Sequence, residues 1–180
     1  MGLFNKIFGK YAQKKQMDGF FRTLTAYSPV FTSWGGELYE SELVRASIHA
    51  KATHASKLKI EIQGSAQQKI QTQLRQAPNG WQTWGQFLYR LTTILEVQNT
   101  AFIVPVLDAN GYTTGIYPVL PSSCEIVQYK DEPYLRYTFA SGERASIELS
   151  RCGILTKHQY KDDFFGENNR AMDSTMELMP

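Results

Sequence analysis

The sequence predicts an α+β fold, with helices first and an antiparallel sheet second. Three observations carry this. Apolar residues recur at helical spacing in Val44, Ile48, Ala52 and Ala55, and again in Trp84, Phe87, Leu88, Leu91, Ile94 and Leu95. From about Thr100 the period falls to two, and short apolar runs alternate with Gly, Pro, Asn and Asp as far as Tyr160. The chain has 180 residues, 42% hydrophobic and 13% aromatic, which is a globular composition with enough length for a real core.

Three parts follow in order. Residues 1–37 read as an arm, extended or partly ordered. Leu3, Phe4, Ile7 and Phe8 line one side of a short helix, with Lys6, Lys10, Lys14 and Lys15 on the others. Gly19, Ser28-Pro29 and Gly35-Gly36 then interrupt too often for regular structure. Phe20, Phe21, Tyr27, Phe31 and Trp34 are too many aromatics for a solvated linker, so the arm needs a surface on its own fold or on a neighbouring subunit.

Residues 38–165 form the α+β domain. The spacing predicts a helix from Glu40 to about Lys57, and its small residues Ala46, Ser47, Ala50, Ala52 and Ala55 let other backbones come close. Leu58–Ile62 alternates apolar and charged residues, as a half-buried strand does. A short helix over Gln67–Gln76 ends at Pro78-Asn79-Gly80. Thr83 and Gln86 fit a capping box that opens the next helix, which ends near Gln98. Thr100–Leu107 is a strand, with Pro105 making it an edge or bulged one. Asp108-Ala109-Asn110-Gly111 turns the chain into Tyr112–Leu120, and Pro121-Ser122-Ser123 breaks it. Glu125–Tyr129, Tyr134–Phe139, Arg144–Leu149 and Ile154–Tyr160 complete a meander of five or six strands. Residues 166–180 begin a helix and stop without a cap, which reads as a helix cut short and part of something longer.

Charge and chemistry are sparse. Residues 1–60 hold 9 basic and 4 acidic side chains, a net of +5; residues 61–180 hold 10 basic and 13 acidic, a net of −3. No window approaches the length of a membrane span. Neither a signal peptide nor a myristoylation motif is present, since Lys6 stands where the latter needs Ser or Thr. The expected compartment is a cytoplasm. Cys124 and Cys152 read as two reduced thiols in a sheet. There is no P-loop, no nucleophile elbow and no zinc-helix histidine pair, so no catalytic, cofactor or metal residue is assigned. His49 and His54, five apart, fall about 140° from each other round a helix. Asp162-Asp163 with Glu167 offers carboxylates to a divalent cation, against the plainer reading of a solvated loop. Arg45, Lys51, Lys57 and Lys59 make a modest basic patch without a recognition motif. Tyr112, Tyr117, Tyr134 and Tyr137 are either base-stacking platforms or half-buried sheet residues.

Three stretches, in this order, resemble the portal proteins of long-tailed phages. One is the helix beginning Tyr39-Glu40-Ser41-Glu42, with Arg45 inside it, leading to Leu58–Ile62. Another runs through Ala77-Pro78-Asn79 to Thr83-Trp84 and a helix ending Asn99-Thr100-Ala101-Phe102. The last is Gly115-Ile116-Tyr117-Pro118-Val119-Leu120-Pro121-Ser122, followed by Phe165-Gly166-Glu167. The positions carrying it are Ser41, Arg45, Pro78, Asn79, Trp84, Asn99, Phe102, Tyr117, Pro118 and Gly166, over residues 39–180. Gln98 departs from the glycine that often precedes the asparagine of the second motif.

The resemblance implies a non-enzymatic head-tail connector. Its subunits form a dodecameric ring at one capsid vertex, assembled in a bacterial host cytoplasm. Residues 39–165 would be a wing-like region and the helix near Gly166 would enter a stem. Implied partners are copies of itself, terminase, capsid and tail-joining proteins, and double-stranded DNA passing without sequence specificity, with no membrane. Two other readings stay open: a sequence-independent nucleic-acid-binding module, and a non-catalytic remnant of a larger enzyme.

Overall fold

The structure is a computed structural model and describes residues 22–23, 39, 41–61, 63, 72, 74–107, 112–139, 142, 144–167 and 169. The elements are β1 (Arg22–Thr23), α1 (Glu42–Ala55), α2 (Trp84–Gln98), β2 (Thr100–Leu107), β3 (Thr113–Val119), β4 (Cys124–Tyr129), β5 (Glu132–Thr138), β6 (Arg144–Glu148) and β7 (Gly153–Thr156). Short 3₁₀ turns at Pro121–Ser123 and Leu149–Arg151 lead into β4 and β7. The class is α+β with helices preceding the main strands, as the periodicity predicts.

The strands do not form one meander. They split into two antiparallel sheets, ordered β3-β2-β7 and β1-β4-β5-β6. The last strand returns to pair with β2, Thr100 opposite Thr156 and Ile103 opposite Gly153, instead of extending β6. The split follows from the alternation in β2. Ala101 and Ile103 face α2, where they join Phe87, Leu88, Leu91 and Ile94. Phe102 and Val104 face the other way, packing with Ile126, Leu135 and Ile147 of the second sheet. A strand apolar on both faces needs a layer on each side. The stack is therefore α1, α2, first sheet, second sheet.

α2 is set by local chemistry. Thr83 caps it by accepting from the Gln86 amide at 3.2 Å, and the Gln86 carboxamide accepts from the Thr83 amide at 2.9 Å. It ends at Asn99, whose φ of 52° is left-handed. α1 lies on α2 through a narrow stripe in which Ile48 and Ala52 are buried. Two polar clasps join the helices. His49 Nδ1 lies 2.9 Å from the Tyr89 hydroxyl, and Lys51 Nζ lies 3.0 Å from a Glu96 oxygen. That same oxygen takes Lys157 Nζ at 2.6 Å. Burial pushes the Glu96 carboxyl upward, but the hydrogen bonds from Lys157 and Lys51 outweigh it and hold it below the ordinary carboxylate value.

Pro105 resolves into both predicted roles. β2 has partners on both sides only at Phe102 and Ile103; Thr100 and Ala101 pair with β7 alone, and from Val104 onward β2 pairs with β3 alone, with a register shift between Val106 and Leu107. Two expectations are corrected. Residues 58–61 are not a strand, and Leu58 and Ile60 are 62% and 42% exposed, because no strand among the described residues lies beside them to bury the apolar face. The break between β4 and β5 is two residues, not four: Lys130 and Asp131 have φ of 49° and 65°, and Pro133 falls inside β5 opposite Gln128. Two successive left-handed residues match the right-handed twist of a hairpin, which four extended ones would not. The arm apart from Arg22 and Thr23, which form β1, the turn at 108–111, most of Gln67–Gln76 and the helix expected beyond 169 lie outside the described residues. Gly166 and Glu167 themselves are not helical.

The Glu96 cluster gives a pH-dependent prediction. A carboxyl whose folded pKa is depressed contributes stability above its ordinary value of 4.5, and loses it as pH falls through the folded value. Lys157→Met should cost about 1 kcal/mol in urea unfolding at pH 7, and the gap to wild type should shrink at pH 3. An equal gap at both pH values would remove the ion pair as its cause.

Candidate functional site

The ten motif positions do not line a pocket. Eight of them fall into two structural joints, and two stand apart. The first joint closes the far end of α2. Asn99 leaves the helix left-handed, and its carbonyl accepts from the Lys157 amide at 2.8 Å. Its side-chain amide donates to the Glu167 carbonyl at 2.7 Å and to Asn169 Oδ1 at 2.6 Å. Asn169 returns a bond to the Val97 carbonyl at 3.0 Å. Gly166 lies in the middle. Its amide donates to Thr100 Oγ1 at 2.8 Å. A Cβ there would land on the carbonyl oxygens of Lys157 and Asn99, both backbone atoms that cannot yield, so glycine is the one residue that fits. Phe102 and Phe165, both buried, meet edge to face with centroids 5.7 Å apart beneath this joint. Gly166 is thus brought to Asn99 and Phe102 from sequence positions 67 and 64 away.

The second joint binds the loop before α2 to β3. Asn79 is buried; its Oδ1 accepts from the Trp81 and Gln82 amides at 2.9 and 3.0 Å, and its Nδ2 donates to the Ile116 carbonyl at 2.8 Å. The Pro78 carbonyl accepts from the Ile116 amide at 2.7 Å. Both backbone groups of Ile116 therefore point to this loop and away from β2. Pro118, two residues on, has the same orientation, so its missing N–H costs β2 nothing. Gly115 admits the loop: a Cβ there would lie 2.6 Å from the Pro78 oxygen. Trp84 Nε1 donates to the Leu74 carbonyl at 2.9 Å. Tyr117 accepts a 2.6 Å bond from Arg90, whose guanidinium also lies 4.9 Å from the ring centroid, while Trp81 meets that ring edge-on at 6.1 Å.

Ser41 and Arg45 join neither joint. Ser41 stands at the N-cap of α1 without a side-chain cap bond, and Arg45 Nε donates to the Tyr39 carbonyl at 3.0 Å with its guanidinium 5.4 Å from the Tyr39 ring. The acidic loop has a structural task. Asp162 Oδ1 accepts from the Phe164 and Phe165 amides at 2.8 and 2.9 Å, turning the chain into Gly166. Among the described residues no group of three or more His, Cys, Asp or Glu side chains is placed to hold a metal ion. No helix among them is long and apolar enough to cross a membrane. Tyr117, Tyr134 and Tyr137 are half-buried sheet residues, while Tyr112 is 58% exposed. Cys124 is buried, and burial pushes the Cys152 thiol up to about 12, so neither is a ready nucleophile at neutral pH.

Gly115, Thr100, Phe165, Glu96 and Lys157 do as much in these joints as the named motif residues. Gly115 had a local signal in the sequence, since a lone glycine inside a strand pattern marks close backbone approach, and Thr100 and Phe165 stood only as members of quoted motif stretches. The others act through partners distant in sequence.

No protein-family profile matches the chain, and no curated protein matches it. Solved structures do. A chain from the neck of a native gene transfer agent particle, computed with C12 symmetry, aligns at a TM-score of 0.66 with 14% identity over 90% of this chain and 44% of that one. A chain from the virion of a native gene transfer agent particle gives 0.65, 14%, 87% and 43%. A chain from the neck of an empty particle, computed with C6 symmetry, gives 0.62, 12%, 81% and 41%. At such identities the likeness is one of fold, and this chain spans less than half the length of each.

The joints make a graded stability prediction. Gly166→Ala should cost about 3 kcal/mol or more. Gly80→Ala, with nothing within 4 Å of the added carbon, should stay within about 0.5 kcal/mol of wild type. Asn99→Ala, which loses two side-chain bonds and a residue type that tolerates the left-handed region, should fall between them at about 2 kcal/mol. Chemical denaturation of the three variants checks the order.

Proposed function

We propose that this chain is a structural subunit of a phage-type portal ring, the DNA conduit at a capsid vertex through which a genome is packaged and ejected and to which a tail is joined. The observation that carries the reading is the fold match, over 90% of this chain, to a chain from the neck of a gene transfer agent particle computed with C12 symmetry. The order of the sequence motifs, which resembles that of portal proteins, supports the same reading. In this reading the two joints hold a wing-like domain rigid, and the chain leaving Gly166 continues toward a stem.

The chemistry of the domain suits such a role. The buried polar groups of the joints are spent on backbone carbonyls and amides, leaving a packed wedge rather than a reactive cleft. Ring closure needs repeated contacts between identical wedges, and holding a passing duplex needs only sequence-independent electrostatics. Expected partners are further copies of the chain, a terminase motor, capsid and tail-joining proteins and double-stranded DNA. The chain itself is proposed to catalyse nothing.

Negative-stain microscopy of the full-length protein tests the reading. Rings with a central hole, twelvefold in class averages, are the expected result. A uniform monomer at high concentration would overturn it.

A further inference from the structure

The outward face of the β1-β4-β5-β6 sheet is covered. Register places Val127, Arg136 and Ser146 on that side, away from Ile126, Leu135 and Ile147, while both helices and the first sheet lie on the other side. Val127 is nevertheless 0% exposed and Ser146 6%, and the Arg136 side chain, paired with Glu125, is only 12% exposed. Cross-strand neighbours shield a side chain at its flanks and leave its top open. Ser146 has less shelter still. Among the described residues no strand lies beyond β6, so Arg136 closes one flank alone. Burial of these groups therefore requires chain lying over the face. The three positions stand on three successive strands, so the cover runs across the strands and not along one. Tyr129, Tyr134, Arg136 and Arg144 of the same face each take part in further interactions.

One segment is delivered to the start of that track. β1 lies at the margin of this sheet and pairs Thr23 with Val127 itself. The residues after β1 have to lead away to α1, at the far end of the stack. Those before it do not. They hold Leu3, Phe4, Ile7 and Phe8 at helical spacing, with Lys6, Lys10, Lys14 and Lys15 on the other sides. Wound as a helix, residues 3–15 would be about 20 Å long. From β1 to β6 is three strand spacings, about 14 Å, so this run is long enough to span the face. The face suits it chemically. The Tyr129 and Tyr134 rings meet edge to face at 6.0 Å beside Val127 and give apolar ground. Glu125, Glu132 and Glu148 are exposed around it; of the two cations there, Arg136 is taken by Glu125 and Arg144 stands at the far end of β6. An apolar helix side bordered by lysines matches an apolar strip bordered by carboxylates.

We infer that residues 1–21 lie across the outward face of this chain's own β1-β4-β5-β6 sheet, with Leu3, Phe4, Ile7 and Phe8 turned onto the track from Val127 to Ser146. The inference assigns the surface that the apolar arm requires and adds one more layer to the same molecule. It does not depend on the ring reading, and it holds whether or not copies of the chain assemble.

Thiol labelling tests it on the 180-residue chain. Ser146→Cys puts a near-isosteric reporter under the cover, and mass spectrometry of peptides reads each thiol separately. With the arm present, iodoacetamide should modify the introduced thiol slowly. Removing residues 1–15 should raise its rate about tenfold or more, while Cys124, sealed between the sheets, keeps its slow rate. Leu3→Ser/Phe4→Ser/Ile7→Ser/Phe8→Ser in the intact chain should give the same rise, which keeps the test open if the shortened chain does not fold. Diluting the protein about a hundredfold should change nothing, since an intramolecular cover is independent of concentration. Fast labelling in the intact chain, or equal protection with and without the arm, would overturn the inference. So would Cys124 opening in step with the reporter, which would make the arm a support of the whole fold. A rate that rises on dilution would assign the cover to a second copy and overturn it as well.

Discussion

α2 runs into β2 with no intervening loop, and the protein depends on how that corner is held. A helix that ends left-handed at Asn99 leaves carbonyls facing outward, and they must be met by something. Here they are met by the chain segment on either side of Gly166, which arrives from the far end of the domain. The segment reaches them because position 166 has no side chain. Any Cβ would force the last described residues away from α2, unseat Phe165 from Phe102 and open the core between the two sheets. Packing of the core and direction of exit are one constraint.

The remaining layers are secured unequally. Between the sheets the contact is apolar. Between α2 and the first sheet it is a broad apolar stripe. α1 is held by two buried side chains, a histidine–tyrosine contact and a shared carboxylate. Glu96 matters because it bridges three elements: its own helix, α1 through Lys51 and the end of β7 through Lys157. α1 is the more weakly embedded of the two helices, burying two side chains where α2 buries four.

What could be read in advance was what is decided locally. The Thr83–Gln86 capping box, the stop near Gln98 and the bounds of Thr100–Leu107 depend on neighbours within four residues, and all stand in the structure. The alternation at Leu58–Ile62 was equally local and misled, because a strand also requires a partner strand, which a period of two cannot supply. The two-residue turn at Lys130-Asp131 lacks the glycine or asparagine that usually announces left-handed pairs. The division into two sheets was hidden because β7 skips the strands nearest to it in sequence. Eight of the ten motif residues fall in the two joints, yet their meeting was not readable. Asn99 and Gly166 are joined by space alone, and Thr100 and Lys157, which complete the joint, look like ordinary residues of a strand and a turn.

The prolines of the first sheet have a consequence for how copies of this domain can combine. On β3 the outward groups of Ile116 are already taken by Pro78 and Asn79, and Pro118 lacks a donor on the same side. On the stretch of β2 that β7 does not reach, Pro105 sits opposite Ile116, so its missing donor falls on the uncovered side. Neither margin offers the run of amides that a foreign strand would need to zip on. Strand addition along these two stretches is thereby disfavoured, and the most apolar ladder of the first sheet is guarded there against cross-β stacking.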